Sequence, residues 1–166
     1  MRYRVIGGIF GWLAFSVPAA AELAISINTE TQSMDVAVDG VLTHQWQVST
    51  GAAGYSTPDG SYRPFRLEVT HYSREWDDAP MPHSIFFTGR GHAIHATNNL
   101  SALGTPASHG CVRLAPENAA LLFELVKEQG LQATTIDIRS DWDFFGASRG
   151  LDEPAAFRQI MDAIGG

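Results

Sequence analysis

The sequence predicts a single, mainly β domain, and three observations lead to this prediction. Several short segments alternate apolar with polar residues, as half-buried strands do. Clusters of Gly, Pro and Asp separate these segments and indicate tight turns. The two helical patterns come only after residue 115. Because strands dominate a chain of 166 residues and the helices come late, one β-rich domain accounts for the pattern.

The N-terminal segment, residues 1–21, has the layout of a secretory signal peptide. Arg2 and Arg4 precede an apolar run from Val5 to Val17, and Ala19-Ala20-Ala21 forms a small-residue cleavage site. The apolar run is shorter than the ~20 residues that a membrane span needs, so a retained N-terminal anchor is the less favoured alternative. We therefore expect export to the periplasm and a mature chain that begins at residue 22.

The strands follow in order from residue 23. LAISIN and MDVAVDG alternate, and Asp39-Gly40 before VLTHQWQVSTG predicts a hairpin. YSTPDGSY is predicted as a turn because of Pro58 and Gly60. FRLEVTHY, SIFFTG, HAIHAT and ATTIDI are predicted strands. SREWDDAPMPH, residues 73–83, is too rich in Pro and Asp for a strand and is predicted as a long surface loop, which makes it a candidate lid.

The first helix is predicted in LAPENAALLFELVKEQG, with Pro116 near its first position and Gly130 beyond its end. Its apolar face repeats at helical spacing, at Ala119, Leu122, Phe123 and Val126. Residues 140–166 form a predicted C-terminal extension. A second amphipathic helical pattern there has its apolar positions at Phe157, Ile160, Met161 and Ile164.

Charge and cysteine content restrict the function. The net charge is −7 and no run of Lys or Arg occurs, so nucleic acid is not an expected partner. The chain has one cysteine, Cys111. Cysteines in an oxidising compartment usually pair, so an unpaired one suggests a reactive thiol or an intermolecular bond. A buried, inert cysteine is the alternative.

Three histidines, His92, His95 and His109, lie within twenty residues of Cys111 in GHAIHATNNLSALGTPASHGCVRL. Cysteine catalysis needs a group that takes the thiol proton and N–H donors for the oxyanion. Zinc binding by these four side chains is the competing interpretation. It is weaker because His92 and His95 would point to opposite faces of a strand, and because no H-E-x-x-H helix is present.

The stretch IHATNNLSALGTPASHGCVRL resembles the signature of the L,D-transpeptidase catalytic domain of the YkuD type. That signature is a strand histidine, a variable loop, and Ser/Thr-His-Gly-Cys followed by an apolar residue and Asn or Arg. WQVSTG and STPDGSY resemble two further motifs of the family, in the same order. The resemblance extends over about residues 23–138, so we assign residues 22–139 to the catalytic domain. It implies a sandwich-like, mainly β domain with a few short helices.

The resemblance also implies roles for individual residues. Cys111 matches the nucleophile and His95 the general base, with the backbone carbonyl of Ala96 orienting the imidazole. Ser108, His109 and Gly110 complete the motif before the cysteine; the amides of Gly110 and Cys111 would form the oxyanion hole. Arg113 matches a position near the substrate, where it could pair with a carboxylate.

The implied function is an exported L,D-transpeptidase that acts on peptidoglycan tetrapeptide stems through a thioester at Cys111. It would form 3→3 cross-links or join the stem to another amine, such as one on a wall-attached protein. Hydrolysis by the same site, as an L,D-carboxypeptidase or amide hydrolase, is the alternative, and a non-catalytic wall-binding module is a more distant one. No metal or cofactor is implied, and we expect a monomer.

The other histidines and aromatic residues carry no motif. His92 is predicted to be an exposed strand residue, and the remaining histidines are predicted to be ordinary polar positions: His44, His71 and His83. Three aromatic residues are predicted to be either core or the floor of a substrate groove: Trp46, Trp76 and Phe86.

Overall fold

The computed structural model describes residues 22–140, and within this range the chain forms strands in two sheets and one α-helix, which confirms the mainly β prediction. The first sheet has the order β3-β2-β1-β9-β4, built from Leu23–Asn28 (β1), Ser33–Val38 (β2), Val41–Gln47 (β3), Gly60–Tyr62 (β4) and Thr134–Arg139 (β9). The second sheet has the order β5-β6-β7-β8, built from Arg66–Glu68, Ser84–Phe86, Ala93–Ala96 and Val112–Leu114. The helix α1 spans Pro116–Gln129.

The hairpin between β2 and β3 forms where Asp39-Gly40 predicts it. Val38 pairs with Val41, so the loop has two residues. Asp39 and Gly40 have φ of 52° and 76°, and positive φ at both central positions is what a type I′ turn requires. The predicted turn is therefore confirmed.

One hydrophobic core lies between the two sheets and α1. Ile25 and Ile136 contribute from the first sheet, Ile94 and Val112 from the second, and Leu122 from the helix, all fully buried. A fully buried aliphatic side chain of this kind stabilises the fold by roughly 1.5–3 kcal/mol. Each sheet therefore uses one face for the core, which leaves its other face for solvent or a site.

The helix α1 agrees with the prediction in its bounds and its buried face. Pro116 occupies its first turn, and Gly130 follows its last residue with φ of 92°. The buried helix residues are the four predicted: Ala119, Leu122, Phe123 and Val126. The signal peptide predicted in residues 1–21 and the amphipathic pattern from Phe157 to Ile164 lie outside the described residues. None of the helices in residues 22–140 is long and apolar enough to cross a membrane.

Residues 73–83 form the predicted surface loop, since they contain turns and one isolated bridge but no strand, and most of them are exposed. Backbone hydrogen bonds nevertheless pair this loop, antiparallel, with the residues that follow β5. We call residues 69–83 the ribbon. Its backbone bonds run from His83 N–H to Val69 O at 2.9 Å, from Met81 N–H to His71 O at 2.8 Å and from Ser73 N–H to Ala79 O at 2.9 Å. The two prolines alternate with these donors, at Pro80 and Pro82. Since proline interrupts a ladder only where its missing N–H is needed, the pairing survives.

One difference from the predicted elements concerns residues 60–62, which the sequence assigns to a turn. They form β4, which pairs antiparallel with β9 at the edge of the first sheet. A strand of three residues is too short to show alternation, so its pairing with β9 is a tertiary effect. The predicted strand FRLEVTHY is likewise regular only from Arg66 to Glu68, before the ribbon begins.

Candidate active site

The register of the second sheet brings the predicted catalytic side chains onto one face. β7 and β8 are parallel, and His95 lies directly opposite Arg113. Cys111 stands two residues before Arg113, so its side chain lies on the same side of the sheet. Cys111, His95 and Arg113 all line one cleft of about 800 Å³. The intervening Val112 points into the core.

His95 is held in one tautomer. Its Nδ1 lies 2.8 Å from the carbonyl oxygen of Ala96, and a carbonyl can only accept. Nδ1 therefore carries the proton, and Nε2 is the unprotonated nitrogen that can act as a base. Burial lowers the pKa of His95 to about 4; the bond to Ala96 opposes this effect, and the nearby Arg113 and His71 reinforce it. The imidazole is neutral at neutral pH.

Cys111 is half-buried, with its Sγ 4.0 Å from the carbonyl oxygen of Gly91. Burial raises the pKa of the thiol, whereas the backbone N–H of Ala93 and the charge of Arg113 act in the opposite direction. The balance keeps the thiol protonated at rest. The resting pair therefore consists of a neutral thiol and a neutral imidazole, which suits proton transfer during attack rather than a preformed ion pair.

Ser108 forms hydrogen bonds within the loop that precedes Cys111. It is 1% exposed, and its hydroxyl donates to the Cys111 carbonyl oxygen at 2.5 Å and accepts from the Gly110 N–H at 3.1 Å. Ser108 was predicted to bind substrate, but its side chain is buried and its hydroxyl is already hydrogen-bonded to Cys111 and Gly110. The Gly110 amide, predicted as an oxyanion donor, is engaged by this hydroxyl and would have to leave it to face a substrate; the amide of Cys111 is the other predicted donor.

Gly110 is required by both its backbone and its surroundings. Its φ of +110° lies in the region that L side chains rarely adopt. A Cβ at this position would come within 2.8 Å of two ring atoms of His92. The loop therefore approaches His92 as closely as glycine permits, and this approach positions the next residue, Cys111.

His109 contacts the ribbon and Tyr55 through its ring. Its exposed ring stacks on Trp76, with centroids 3.7 Å apart and planes at 9°, and meets the edge of Tyr55 at 4.7 Å. Trp76 is part of the ribbon tip and lines the cleft. We name Tyr55, Trp76 and His109 the aromatic clasp. It joins the ribbon, which forms one wall of the cleft, to residues 108–110, which we call the motif loop.

Arg113 places a positive charge beside His95 and Cys111. Its backbone pairs in both directions with Ser49, at 2.9 and 3.0 Å, so the position of its Cα is well determined. The guanidinium Nη1 donates to the carbonyl oxygen of Ala107 at 3.2 Å. Among residues 22–140, no carboxylate lies within ion-pair distance of this guanidinium. It is therefore available to an anionic group in the cleft.

His92 differs from the prediction of an exposed strand residue. It precedes β7, is half-buried, and has its Nδ1 2.8 Å from Thr88 Oγ1. The backbone turns at Gly91, with φ of 93°, so the alternation of a strand does not apply, and His92 lines the same cleft as His95. The expectation of opposite faces was wrong for this reason. Even so, no three His, Cys, Asp or Glu side chains within residues 22–140 converge in a way that could hold a metal ion.

The sequence interpretation missed a charged cluster that lines the same cleft, formed by Arg66, Glu68 and His71. Arg66 Nη1 lies 3.0 Å from Glu68 Oε1, and His71 Nδ1 lies 2.5 Å from Glu68 Oε2. The Arg66 guanidinium lies 3.7 Å from the ring centroid of Phe86, which is itself 1% exposed. The alternation of Arg66 and Glu68 in a predicted strand was the available signal for a shared face. Nothing in the sequence placed His71 beside them.

The aromatic candidates divide between cleft and core. Phe86 and Trp76 line the cleft, whereas Trp46 is half-buried at the edge of the main core. Of the remaining histidines, His83 also lines the cleft, and its ring meets the edge of Phe123 at 5.6 Å. His44 lies on β3, beside Trp46.

Comparison with known proteins is consistent with this architecture. A family model described as the L,D-transpeptidase catalytic domain matches residues 22–138. The chain is 47% identical over 49 residues to the probable L,D-transpeptidase YbiS of Escherichia coli K12, which is 30% of this chain and 16% of that protein. It is 23% identical over 141 residues to the putative L,D-transpeptidase YqjB of Bacillus subtilis, covering 78% of this chain and 80% of that protein.

Solved structures share the fold. An L,D-transpeptidase from Mycobacterium smegmatis matches with a TM-score of 0.66 and 22% identity, over 72% of this chain and 59% of that one. An L,D-transpeptidase from Stackebrandtia nassauensis matches with a TM-score of 0.63 and 27% identity, over 73% of this chain and 57% of that one. The chain therefore spans less than two thirds of these two structures, and its match to YbiS spans a smaller part still.

Proposed function

This chain belongs to the L,D-transpeptidase catalytic domain family, and from that premise we propose that it is an exported cysteine L,D-transpeptidase acting on peptidoglycan tetrapeptide stems. One observation carries the proposal more than any other. Cys111 and His95 line the same cleft, and the Ala96 carbonyl leaves His95 Nε2 free to take a proton. The N-terminal pattern of residues 1–21 supports export.

The first half-reaction acylates the enzyme. Cys111 Sγ attacks the carbonyl carbon at the L-centre of the third stem residue, diaminopimelate, while the thiol proton passes to His95 Nε2. The backbone amide of Cys111 is suited to donate to the oxyanion that develops. When the tetrahedral intermediate collapses, the C–N bond to D-Ala breaks, and the leaving amine takes the proton from His95. The product is a thioester on Cys111.

The second half-reaction regenerates the thiol. An acceptor amine attacks the thioester carbonyl and gives its proton to His95, and the C–S bond then breaks as the sulfur regains a proton. An amine from a second stem yields a 3→3 cross-link, and one on a wall-attached protein yields a protein anchored to the stem. Arg113, whose guanidinium faces the cleft without a carboxylate partner among the described residues, is suited to bind a carboxylate of the stem.

The test uses the protein from residue 22 onward, purified disaccharide-tetrapeptide and mass spectrometry of the products. We expect a cross-linked dimer with loss of D-Ala, and no product from Cys111→Ala or His95→Ala. His44→Ala is the matched control, because it removes a histidine of the first sheet, away from the cleft. It should retain full activity.

Each other outcome of this test identifies a different reaction. Tripeptide without a dimer would indicate hydrolysis, in which water is the acceptor. If no product forms and a carbapenem does not acylate Cys111, the enzymatic proposal is wrong. Activity that survives in Cys111→Ala and disappears with a chelator would instead indicate zinc chemistry.

A further inference from the structure

The charged cluster of Arg66, Glu68 and His71 lies in the same cleft as the catalytic pair but takes no part in the chemistry described above. We propose that Arg66 and Glu68 form a subsite that binds the free amino-acid end of the third stem residue's side chain. This inference rests on the proposed function and adds to it the feature that selects the donor stem. Arg66 would bind the side-chain carboxylate and Glu68 the side-chain ammonium.

The register of the second sheet places this cluster on the catalytic face. Arg66 pairs with Phe86, Phe86 pairs with Ala93, and Ala93 lies on the same side of β7 as His95. Glu68 lies two residues after Arg66 on β5 and therefore shares its side. The face of the sheet that carries the nucleophile and the base thus carries a fixed cation and a fixed anion at its other edge.

Arg66 and Glu68 are held in position before any ligand binds. The guanidinium is stacked 3.7 Å above the buried ring of Phe86, and Glu68 is bound from both sides, by Arg66 at 3.0 Å and by His71 at 2.5 Å. The side chains of Arg66 and Glu68 are still 45% and 31% exposed. Because a guanidinium has five N–H donors and Glu68 occupies one edge, Arg66 retains donors for a second carboxylate.

The pairing of charges matches a particular ligand chemistry. The side chain of diaminopimelate ends in a carbon that bears both an ammonium and a carboxylate. A lone arginine would recognise the carboxylate only, whereas adjacent opposite charges can satisfy both groups. A lysine side chain has the ammonium without the carboxylate, so Arg66 is the residue that would distinguish the two stems.

The distances agree with this assignment. The guanidinium lies over Phe86 on β6, two strands from β8, and strands lie about 4.8 Å apart, so the separation is about 10 Å. The attacked carbonyl carbon of diaminopimelate and its side-chain carboxyl carbon are six C–C bonds of about 1.5 Å apart, which span about 7.5 Å when fully extended. With the C–O bond, a hydrogen bond of about 3 Å at one end and an attack distance of about 3 Å at the other, the greatest reach is about 14 Å, so a partly folded side chain spans the separation of about 10 Å.

The test compares three donor stems: one with diaminopimelate, one with its side-chain carboxyl amidated, and one with lysine in its place. Arg66→Gln should raise KM about tenfold for the unmodified stem with little change in kcat, since a charge-assisted contact is lost in ground state and transition state alike. It should leave KM for the amidated and lysine stems unchanged. Glu68→Gln should raise KM for all three stems, because each bears the side-chain ammonium.

Lys127→Gln is the matched control, because it breaks an ion pair of similar length, 2.9 Å to Glu124, on the exposed surface of α1. It should change no KM. Acylation of Cys111 by a carbapenem, which has no diamino acid side chain, verifies that each variant is folded and chemically intact. Arg66→Lys provides a second variant that keeps the charge and loses the guanidinium fork, and it should lie between wild type and Arg66→Gln.

The inference is overturned if Arg66→Gln still prefers the unmodified stem over the amidated stem to the same degree as wild type. That outcome leaves the wild-type enzyme active and the proposed function intact. If wild type processes none of the stems, the proposed function fails and this inference fails with it. The two failures are therefore distinguished by the wild-type rate alone.

Discussion

The two sheets use their outer faces in opposite ways. The first sheet turns polar side chains to solvent, as where Gln45 donates to Asp35 at 3.0 Å across β2 and β3. The second sheet turns His95 outward as well, but the ribbon and the motif loop cover it until it is 6% exposed. Both faces arise from the same alternation of a strand. The sheets differ because the ribbon and the motif loop bury the outer face of the second one. That burial lowers the pKa of His95 and raises the pKa of Cys111.

The largest expected effect is a loss of stability that the two sheets share, with a loss of kcat in the second sheet only. Ile136→Ala in the first sheet should lower the free energy of unfolding by about 2–5 kcal/mol, since Ile136 is fully buried in the core. Turnover at a temperature where the variant remains folded should not change. Urea unfolding and steady-state kinetics measure the two quantities.

Ile94→Ala is the matched variant in the second sheet, where the residue is equally buried and adjoins His95. We expect a similar loss of stability together with a loss of kcat, because a cavity behind β7 lets the base move. Equal kcat for Ile136→Ala and Ile94→Ala would show that packing beneath the second sheet does not affect the position of His95, and would contradict this prediction.

The pH dependence of stability tests the buried histidine. The pKa of His95 falls from 6.5 to about 4 on folding, so only the unfolded chain takes up this proton between those values. The resulting stability is fully present above pH 6.5 and is lost as the pH falls towards 4. The difference amounts to about 3 kcal/mol.

His95→Gln removes this titration while leaving the others in place. Urea unfolding of wild type and His95→Gln between pH 7 and pH 4 should therefore show a steeper loss for wild type. Parallel curves for the two proteins would mean that His95 is not buried as a neutral group. His44→Ala, which leaves His95 in place, is the control and should keep the steeper loss of stability.

Gly110→Ala tests how tightly the motif loop is constrained. A Cβ at φ of +110° costs about 1–3 kcal/mol, and it also meets the His92 ring at 2.8 Å. We expect that loss of stability together with a strong reduction of kcat, since Cys111 is the next residue. Gly40→Ala is the control, because its φ is +76° but no atom lies within 4 Å of its Cβ position. Unchanged kcat in Gly110→Ala would show that the close approach to His92 does not position the nucleophile.

The smallest expected effect concerns the contact between the ribbon and the motif loop. Trp76→Ala removes the ring that stacks on His109, a contact of about 0.5–1.5 kcal/mol. We expect limited proteolysis to cut the ribbon faster, with little change in global unfolding. Trp46→Ala, at the edge of the core, should leave the ribbon equally protected. Equal cleavage of wild type and Trp76→Ala would show that the aromatic clasp does not hold the ribbon.

Much of this could be predicted from local pattern. Asp39-Gly40 predicted its hairpin, and Pro116 and Gly130 bracketed α1, because turn and capping chemistry acts within a few residues. The surface loop at residues 73–83 was also predicted, but its backbone bonds to Val69 and His71 were not, because they depend on Pro80 and Pro82 falling at positions whose N–H is not needed. His92 was misplaced because the turn at Gly91 removes it from the strand pattern.

The sequence by itself determined the mainly β fold class and the helix, because alternation and caps are written in neighbouring residues. The candidate nucleophile and base, Cys111 and His95, followed from the resemblance of one stretch of sequence to a family signature. Tertiary structure alone decided that the Ser108 hydroxyl bonds the Cys111 carbonyl and that His109 stacks on Trp76. It also decided that Arg66, Glu68 and His71 line the same cleft as Cys111. Those contacts join residues that are distant in the chain. They depend on the register of strands and on burial, which no local pattern contains.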